Sequence, residues 1–416
     1  MYIKTLSLTH FRGIKSIELD FDPRINVLIG VNGSGKTSVL DALAVMLSRL
    51  IGRISSTKGT GRFFTELEIN NDYSELDAEI TISLSSQDIS WVVTKSRAAI
   101  KRQRITNLTD IRRVAAEIRE SLQSDGNTIN LPVAVFYSVN RAVIDVPLRI
   151  RTRHSFNQIE AYDLALTGIR NDFRLFFEWF RNREDLENEM KMDDRNFQDP
   201  QLKSVRGAIE TFTGFTNLRI RRKPLRMELL KDGKSFDIRQ MSDGEKSYLA
   251  LTGDLARRLA IANPGLNNAL EGEGVVLIDE VDLHLHPTWQ SEIITRFTKI
   301  FPNCQLIVSS HSPFVINHVK PESVFLFNQI ENKIVYEKAN ESYGKTADRI
   351  LEDLMGLLST RPKEVAEKLS KIYQLIDQGE IEPAKNKISE LTKEIGADPE
   401  LVKAEVLLKR KGIIGR

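Results

Sequence analysis

Between Gly30 and Thr37 the chain reads G-V-N-G-S-G-K-T, a spacing of glycines, one lysine and one hydroxyl that suits a polyphosphate. In such a loop successive backbone N–H groups turn inward and hold phosphate oxygens, and the helix N-terminus behind them adds to their field. Gly33 and Gly35 allow positive φ and close backbone approach. Lys36 supplies a point charge to the β- and γ-phosphates and Thr37 a hydroxyl ligand for Mg2+, with Asn32, Ser34 and Ser38 completing the nucleotide-binding run. Far downstream, "GVVLIDEVDLHLHP" carries Asp279 and Glu280 to the end of a buried apolar run. Asp279 there can hold Mg2+ directly or through water, and Glu280 can orient or deprotonate an attacking water. His311 ends a second such run, "QLIVSSH", where it either bonds a γ-phosphate or caps a turn. His284 and His286, with Asp282 nearby, form an H-x-H pattern, but no cysteine or further histidine is close in sequence.

These groups must be brought to one edge of one sheet. "INVLIG", "VVLID" and "QLIVSS" read as buried parallel strands, and "PTWQSEIITRFTKIF" as the helix between the last two. The fold class is therefore α/β. The chain divides into 1–97, strand-rich with the phosphate loop; 98–240, a mixed helical and β insertion; 241–340, carrying the second half of the site; and 341–416, a helical tail. Asp232-Gly233 reads as a hairpin turn and "LPVAVFYSV" as an isolated strand. In the tail, Val365, Leu369, Ile372 and Ile376 form one apolar stripe, and Ala384, Ile388, Leu391 and Ile395 form another. Pro362, Pro383 and Pro399 sit where first-turn prolines belong, Gly396 suits a C-cap and Asp398 an N-cap.

Composition narrows the class. The chain has 416 residues, 41% hydrophobic and 28% charged, with a net charge of +2, so global basicity does not announce nucleic acid or an anionic membrane. The single cysteine, Cys304, sits in an apolar neighbourhood and reads as a small buried hydrophobe. No secretory leader and no apolar run of roughly 20 residues is evident, so the expected location is cytoplasmic, without a membrane partner.

"FRGI" after the first strand, "GVNGSGKTS", "MSDGE", "LIDEVDLHLHP" and "HSP" stand in an order that resembles the ABC-type ATPases, in the branch with Rad50, SMC, RecF and OLD-like proteins. The resemblance implies an ABC head: a mixed N-terminal sheet, a parallel P-loop core and a small C-terminal helical hairpin domain. ATP and Mg2+ are the implied cofactors, and Arg12 joins the nucleotide-binding residues. "MSDGE" takes the place of the signature, so Ser242, Asp243, Gly244 and Glu245 would serve the nucleotide of a second copy in a head-to-tail homodimer. Asp243 stands where a glycine is usual and Met241 where a leucine is. The Q-loop glutamine is not obvious, leaving Asn140 or Arg141 for its role.

The insertion is too short for a Rad50 or SMC coiled coil, and the tail is helical rather than Toprim-like, so no nuclease site is read in this chain. "FFEWFRNREDLENE" and the tail from Arg361 resemble the PtuA family, the ATPases of Septu and retron anti-phage systems. That resemblance implies an ATPase that senses infection and regulates an HNH nuclease, PtuB. The alternative is a DNA-binding repair ATPase of the RecF or Rad50 type, acting without a nuclease. Basic clusters in the insertion (Lys101, Arg102, Arg104; Arg149, Arg151, Arg153; Arg219, Arg221, Arg222, Arg226) present either a DNA-facing groove or solvated faces. Phe173, Phe176, Phe177 and Phe180, at helical spacing, form either core or a docking surface.

Overall fold

The computed structural model describes residues 1–97, 105–124, 129–139, 157–168, 173–331 and 333–414. The chain divides into two compact units, Met1–Ala347 and Asp348–Arg416.

The larger unit opens on strands β1 (Tyr2–Phe11) and β2 (Ile14–Asp20), followed by β3 (Ile25–Gly30) and helix α1 (Lys36–Ser55). Strands β4 (Glu75–Leu84) and β5 (Gln87–Ser96) join the first two in a sheet ordered β2-β1-β4-β5, antiparallel throughout. Ser85 and Ser86, both at positive φ, make the two-residue turn whose hand matches strand twist. The alternating burial of β4 shows why "ELDAEITISL" is a strand: Leu76, Ala78, Ile80 and Ile82 face the interior and the residues between them face outward.

After α2 (Thr109–Ser124) comes β6 (Val133–Tyr137). Read from sequence as isolated, this strand lies at the edge of the central sheet, parallel to its neighbour and buried along its whole length. A five-residue apolar strand with no partner in sequence had to find one at a distance, which local pattern does not reveal. Helices α3 (Phe173–Asp193) and α4 (Pro200–Thr213) precede the small antiparallel sheet of β7 (Thr216–Arg222), β8 (Leu225–Lys231) and β9 (Lys234–Asp237). Asp232 and Gly233, both at positive φ, turn β8 into β9, as their types require.

Helix α5 (Asp243–Ala262), β10 (Gly274–Ile278), α6 (Pro287–Ile300) and β11 (Cys304–Ser309) complete the parallel core. A short helix α7 (Pro313–Ile316) leads to β12 (Val324–Ile330) and β13 (Lys333–Lys338). The central sheet runs β13-β12-β3-β11-β10-β6, parallel except at the β12–β13 pair. Phe173, Phe176, Phe177 and Phe180 are buried, so of their two readings the core one holds. Gly253 of α5 makes room for them: a Cβ there would lie 2.8 Å from the Phe176 ring.

A single helical turn α8 (Ala347–Arg349) stands at the junction of the units. The second unit consists chiefly of α9 (Lys363–Gln378), α10 (Ile381–Ile395) and α11 (Pro399–Ile414), packed around Leu369, Ile372, Ile376, Ala384, Ile388, Leu391, Leu401 and Ala404. Both expected stripes are in that core, with Val365 and Ile395 at its margin. Asp398 accepts from the Glu400 N–H at the start of α11 and pairs through both oxygens with Arg361 (2.8 and 3.1 Å).

Candidate nucleotide site

The C-terminal edge of the central sheet carries the site. β3 ends at Gly30, whose φ of +141° and nearness to the Phe327 carbonyl leave no room for a Cβ (2.1 Å). The loop then exposes Asn32 and Gly33, buries Ser34, and enters α1 at Lys36 with Gly33 and Gly35 both at positive φ. Lys36 is only 6% exposed and donates to the Gly30 and Val31 carbonyls at 2.9 and 3.0 Å. Burial lowers its pKa, and the carboxylates of Asp279 and Glu280 offset that only in part. Ser34 Oγ is buried and has no hydrogen-bond partner among the described residues. An orphaned hydroxyl beside a buried ammonium fits a polyphosphate, which would supply acceptors to both.

Opposite the loop, Asp279 follows β10 and is itself buried. Thr37 Oγ1 donates toward both of its oxygens, at 3.2 and 3.0 Å. Ser309, at the end of β11, donates to Asp279 Oδ1 at 2.5 Å and accepts from the Glu280 N–H at 2.7 Å. One hydroxyl thus fixes the first acid and aims the second. Glu280 has φ of +48°, a left-handed turn that takes it out of the strand direction at the sheet edge. Asp282 accepts from Ser310 Oγ (2.7 Å) and from the His311 N–H (3.3 Å), so the turn after β11 is tied to the turn after β10. His311 is half-buried beside it. Thr37 with the Asp279 carboxylate is a hard-oxygen donor pair of the kind Mg2+ takes.

Residues Ile25–Asn317 match the family model described as "AAA domain, putative AbiEii toxin, Type IV TA system". The chain belongs to that family. It is 28% identical to "Retron Ec83 probable ATPase" of Escherichia coli over 89% of this chain and 79% of that protein. It is 25% identical to "Septu protein PtuA" of Bacillus thuringiensis, over 91% and 90% of the two chains. Among solved structures, an SMC head domain from Thermotoga maritima aligns with 82% of this chain and 100% of its own, at 14% identity and a TM-score of 0.45. Over most of its length the chain is thus similar to a retron ATPase and to a PtuA.

The signature-like stretch caps α5. Ser242 Oγ and Glu245 exchange hydrogen bonds across the first turn, and Lys231 Nζ holds the other Glu245 oxygen at 2.6 Å. Gly244 is pressed against its own chain: a Cβ would lie 2.4 Å from the His284 carbonyl. Asp243 is exposed and pairs with Lys246. Ser242, Gly244 and Glu245 line an open groove with Lys231, His284 and His286. Among the described residues no hydrogen bond joins this stretch to the phosphate loop of the same chain. His286 caps α6 by accepting from the Thr288 N–H (3.4 Å).

Arg12, expected at the nucleotide, forms ion pairs with Asp41 of α1 and Glu68 at 2.8 and 2.9 Å. Burial lowers its pKa, but these two carboxylates more than offset that. The basic stretch of β7 and β8 is matched by acids. Arg219, Arg221 and Arg226 all face Glu228, and Arg222 faces Glu184 and Asp185. The cluster is therefore partly neutralised within the fold, with Arg219, Arg221 and Arg226 sharing the one carboxylate of Glu228. Asn140, Arg141 and the other two basic clusters lie outside the described residues.

Sequence reading missed Ser309, Ser310 and Asp282 as positioners. Two hydroxyls directly before His311, at the end of a buried strand, were the available signal. It also missed a buried ionic network on α5, where Asp254, Arg257 and Arg258 recur at helical spacing in an otherwise apolar run.

Proposed function

We propose that the chain hydrolyses ATP to ADP and phosphate at sites completed by a second copy, and uses this cycle to control a partner nuclease in anti-phage defence. The observation that carries the catalytic part is the meeting of Thr37, Asp279 and Glu280 at one sheet edge, with Ser309 donating to the Asp279 carboxylate and accepting from the Glu280 backbone N–H. The loop from Asn32 to Ser38 would cradle the phosphates, with Lys36 facing the β- and γ-groups. Mg2+, held by Thr37 and Asp279, would neutralise charge that builds on the phosphate oxygens. The Glu280 carboxylate takes a proton from the water whose oxygen bonds to the γ-phosphorus as the bond to the β–γ bridging oxygen breaks. His311, tied through its N–H to Asp282, would donate toward the γ-phosphate.

The signature residues Ser242, Asp243, Gly244 and Glu245 would serve the nucleotide of a head-to-tail partner. Their support is the open groove beside them and a helix N-terminus, which is by itself an anion-binding feature. Ser242→Arg is expected to leave ATP binding by the single chain within about twofold of wild type, while removing ATP-dependent pairing. Fluorescent-nucleotide titration beside light scattering measures both; a variant that still pairs on ATP addition would sink the trans assignment.

The similarity to a Septu PtuA over most of both chains supports the nuclease-regulating reading, with an HNH protein of the PtuB kind as partner. Co-purification of that protein with this chain, lost or gained as ATP is added, tests it. The rival reading, a repair ATPase acting alone on DNA, loses the support of the β7–β8 arginines because Glu228, Glu184 and Asp185 already face them.

A further inference from the structure

A second charged face lies at the other end of α1. The helix has 20 residues, so its last turn stands about 30 Å from the phosphate loop. There the C-terminal half of α1, the loop 56–63 and α2 gather Arg49, Arg53, Lys58, Arg62, Arg112 and Arg119. Among the described residues none of the six forms an ion pair with a carboxylate. Arg49, Arg53 and Arg62 donate to the backbone carbonyls of Thr60, Arg49 and Leu166 at 2.6, 2.7 and 2.8 Å, and Arg119 donates to the carbonyl of Arg53. Arg49 is only 5% exposed, and its Nε has no hydrogen-bond partner among the described residues. Elsewhere buried and half-buried arginines of this fold face acids, as Arg12, Arg183, Arg206, Arg222 and Arg258 do.

Burial and like charge both oppose this arrangement. Burial first, then Arg53, lowers the pKa of Arg49; burial first, then Arg112, lowers that of Arg53. The loop is nonetheless held tightly in place. Gly61 lies against the α1 backbone, where a Cβ would be 2.2 Å from the Ser48 carbonyl, and the Arg62 N–H donates to Ser48 Oγ at 2.7 Å. Phe63 is 60% exposed, with the Arg49 guanidinium 4.2 Å from its ring centre. Uncompensated, backbone-fixed cations beside an exposed ring are the two parts of a strand-binding surface: charge for phosphates and a π-face for an unstacked base.

We propose that this face binds single-stranded nucleic acid, with phosphates along Arg53, Lys58 and Arg112 and one base stacked on Phe63. The proposal is independent of the ATPase reading, since none of these residues lies in the nucleotide site. The test uses the full chain, fluorescence anisotropy with labelled oligothymidylate, an RNA strand and a DNA duplex, and a salt series. Arg112 and Lys58 are exposed, so K58E/R112E should fold, and retained ATP binding verifies that it has. The reversal is expected to weaken strand binding tenfold or more and to flatten the log–log salt slope by roughly 1.4. Phe63→Ala should weaken single-strand binding at least fivefold and leave duplex binding unchanged. Equal affinity of wild type and K58E/R112E would overturn the proposal. So would an indifferent Phe63→Ala, or retention on anionic phospholipid vesicles with no oligonucleotide binding.

Discussion

Glu280→Gln is expected to lower ATP turnover roughly a hundredfold or more while nucleotide binding persists. The amide has the shape of the carboxylate but cannot take a proton from water. The rest of the edge has no reason to move: the Glu280 N–H still finds Ser309, and Thr37 still faces Asp279. ATP-bound assemblies should then accumulate because the step that dissolves them is slow. Phosphate-release kinetics beside equilibrium nucleotide binding separate the two effects. A variant that turns over ATP near the wild-type rate would remove Glu280 from its role.

Arg258→Ala is expected to cost about 3–5 kcal/mol of stability, the usual consequence of removing one member of a buried ionic network. Arg258 is fully buried, donates to Asp254 at 2.6 Å and reaches the carbonyls of Ala161 and Asp163 at 2.7 and 2.9 Å. Asp254 also accepts from Arg257 (2.8 Å) and from the Tyr137 hydroxyl (3.0 Å). Burial alone would raise the Asp254 pKa, but Arg258 and Arg257 hold it down at about 2. That lies below the unfolded value of about 3.9, so the network's contribution is complete above that pH and is lost as pH falls toward 2. Denaturant unfolding at neutral pH and along an acid series reads both effects. A loss under about 1 kcal/mol, with an acid limb like that of wild type, would contradict this account. The network also bears on the site, because the Tyr137 carbonyl accepts from the Asp279 N–H at 2.9 Å.

Much of the core was legible because its signals are local. A glycine-rich loop between a buried strand and a helix, and acids at the end of an apolar run, each identify themselves within a dozen residues, and the sheet brings their ends together. The Asp232-Gly233 turn and the tail stripes were readable for the same reason. What escaped depends on distant pairing. β6 looks isolated until β10 lies beside it, and Ser309 matters only because β11 ends next to Asp279. The arginines of β7 and β8 look like an open patch until Glu184 and Asp185, on α3, are set against them. The opposite error is possible too: Arg49, Arg53, Arg112 and Arg119 are scattered in sequence and form one basic face only when α1 and α2 pack.

In the proposed arrangement each nucleotide site is built from two copies of the chain. Lys36→Ala should empty the phosphate loop, and Ser242→Arg should block the signature, so each variant alone is expected to be inactive. Mixed in equal amounts, half of the dimers would pair one variant with the other and contain one intact site of two. ATPase activity should therefore return to about a quarter of wild type if copies exchange freely. Recovery of that order is the result the head-to-tail site predicts. A mixture as inactive as its components, with exchange of labelled copies demonstrated, would contradict it.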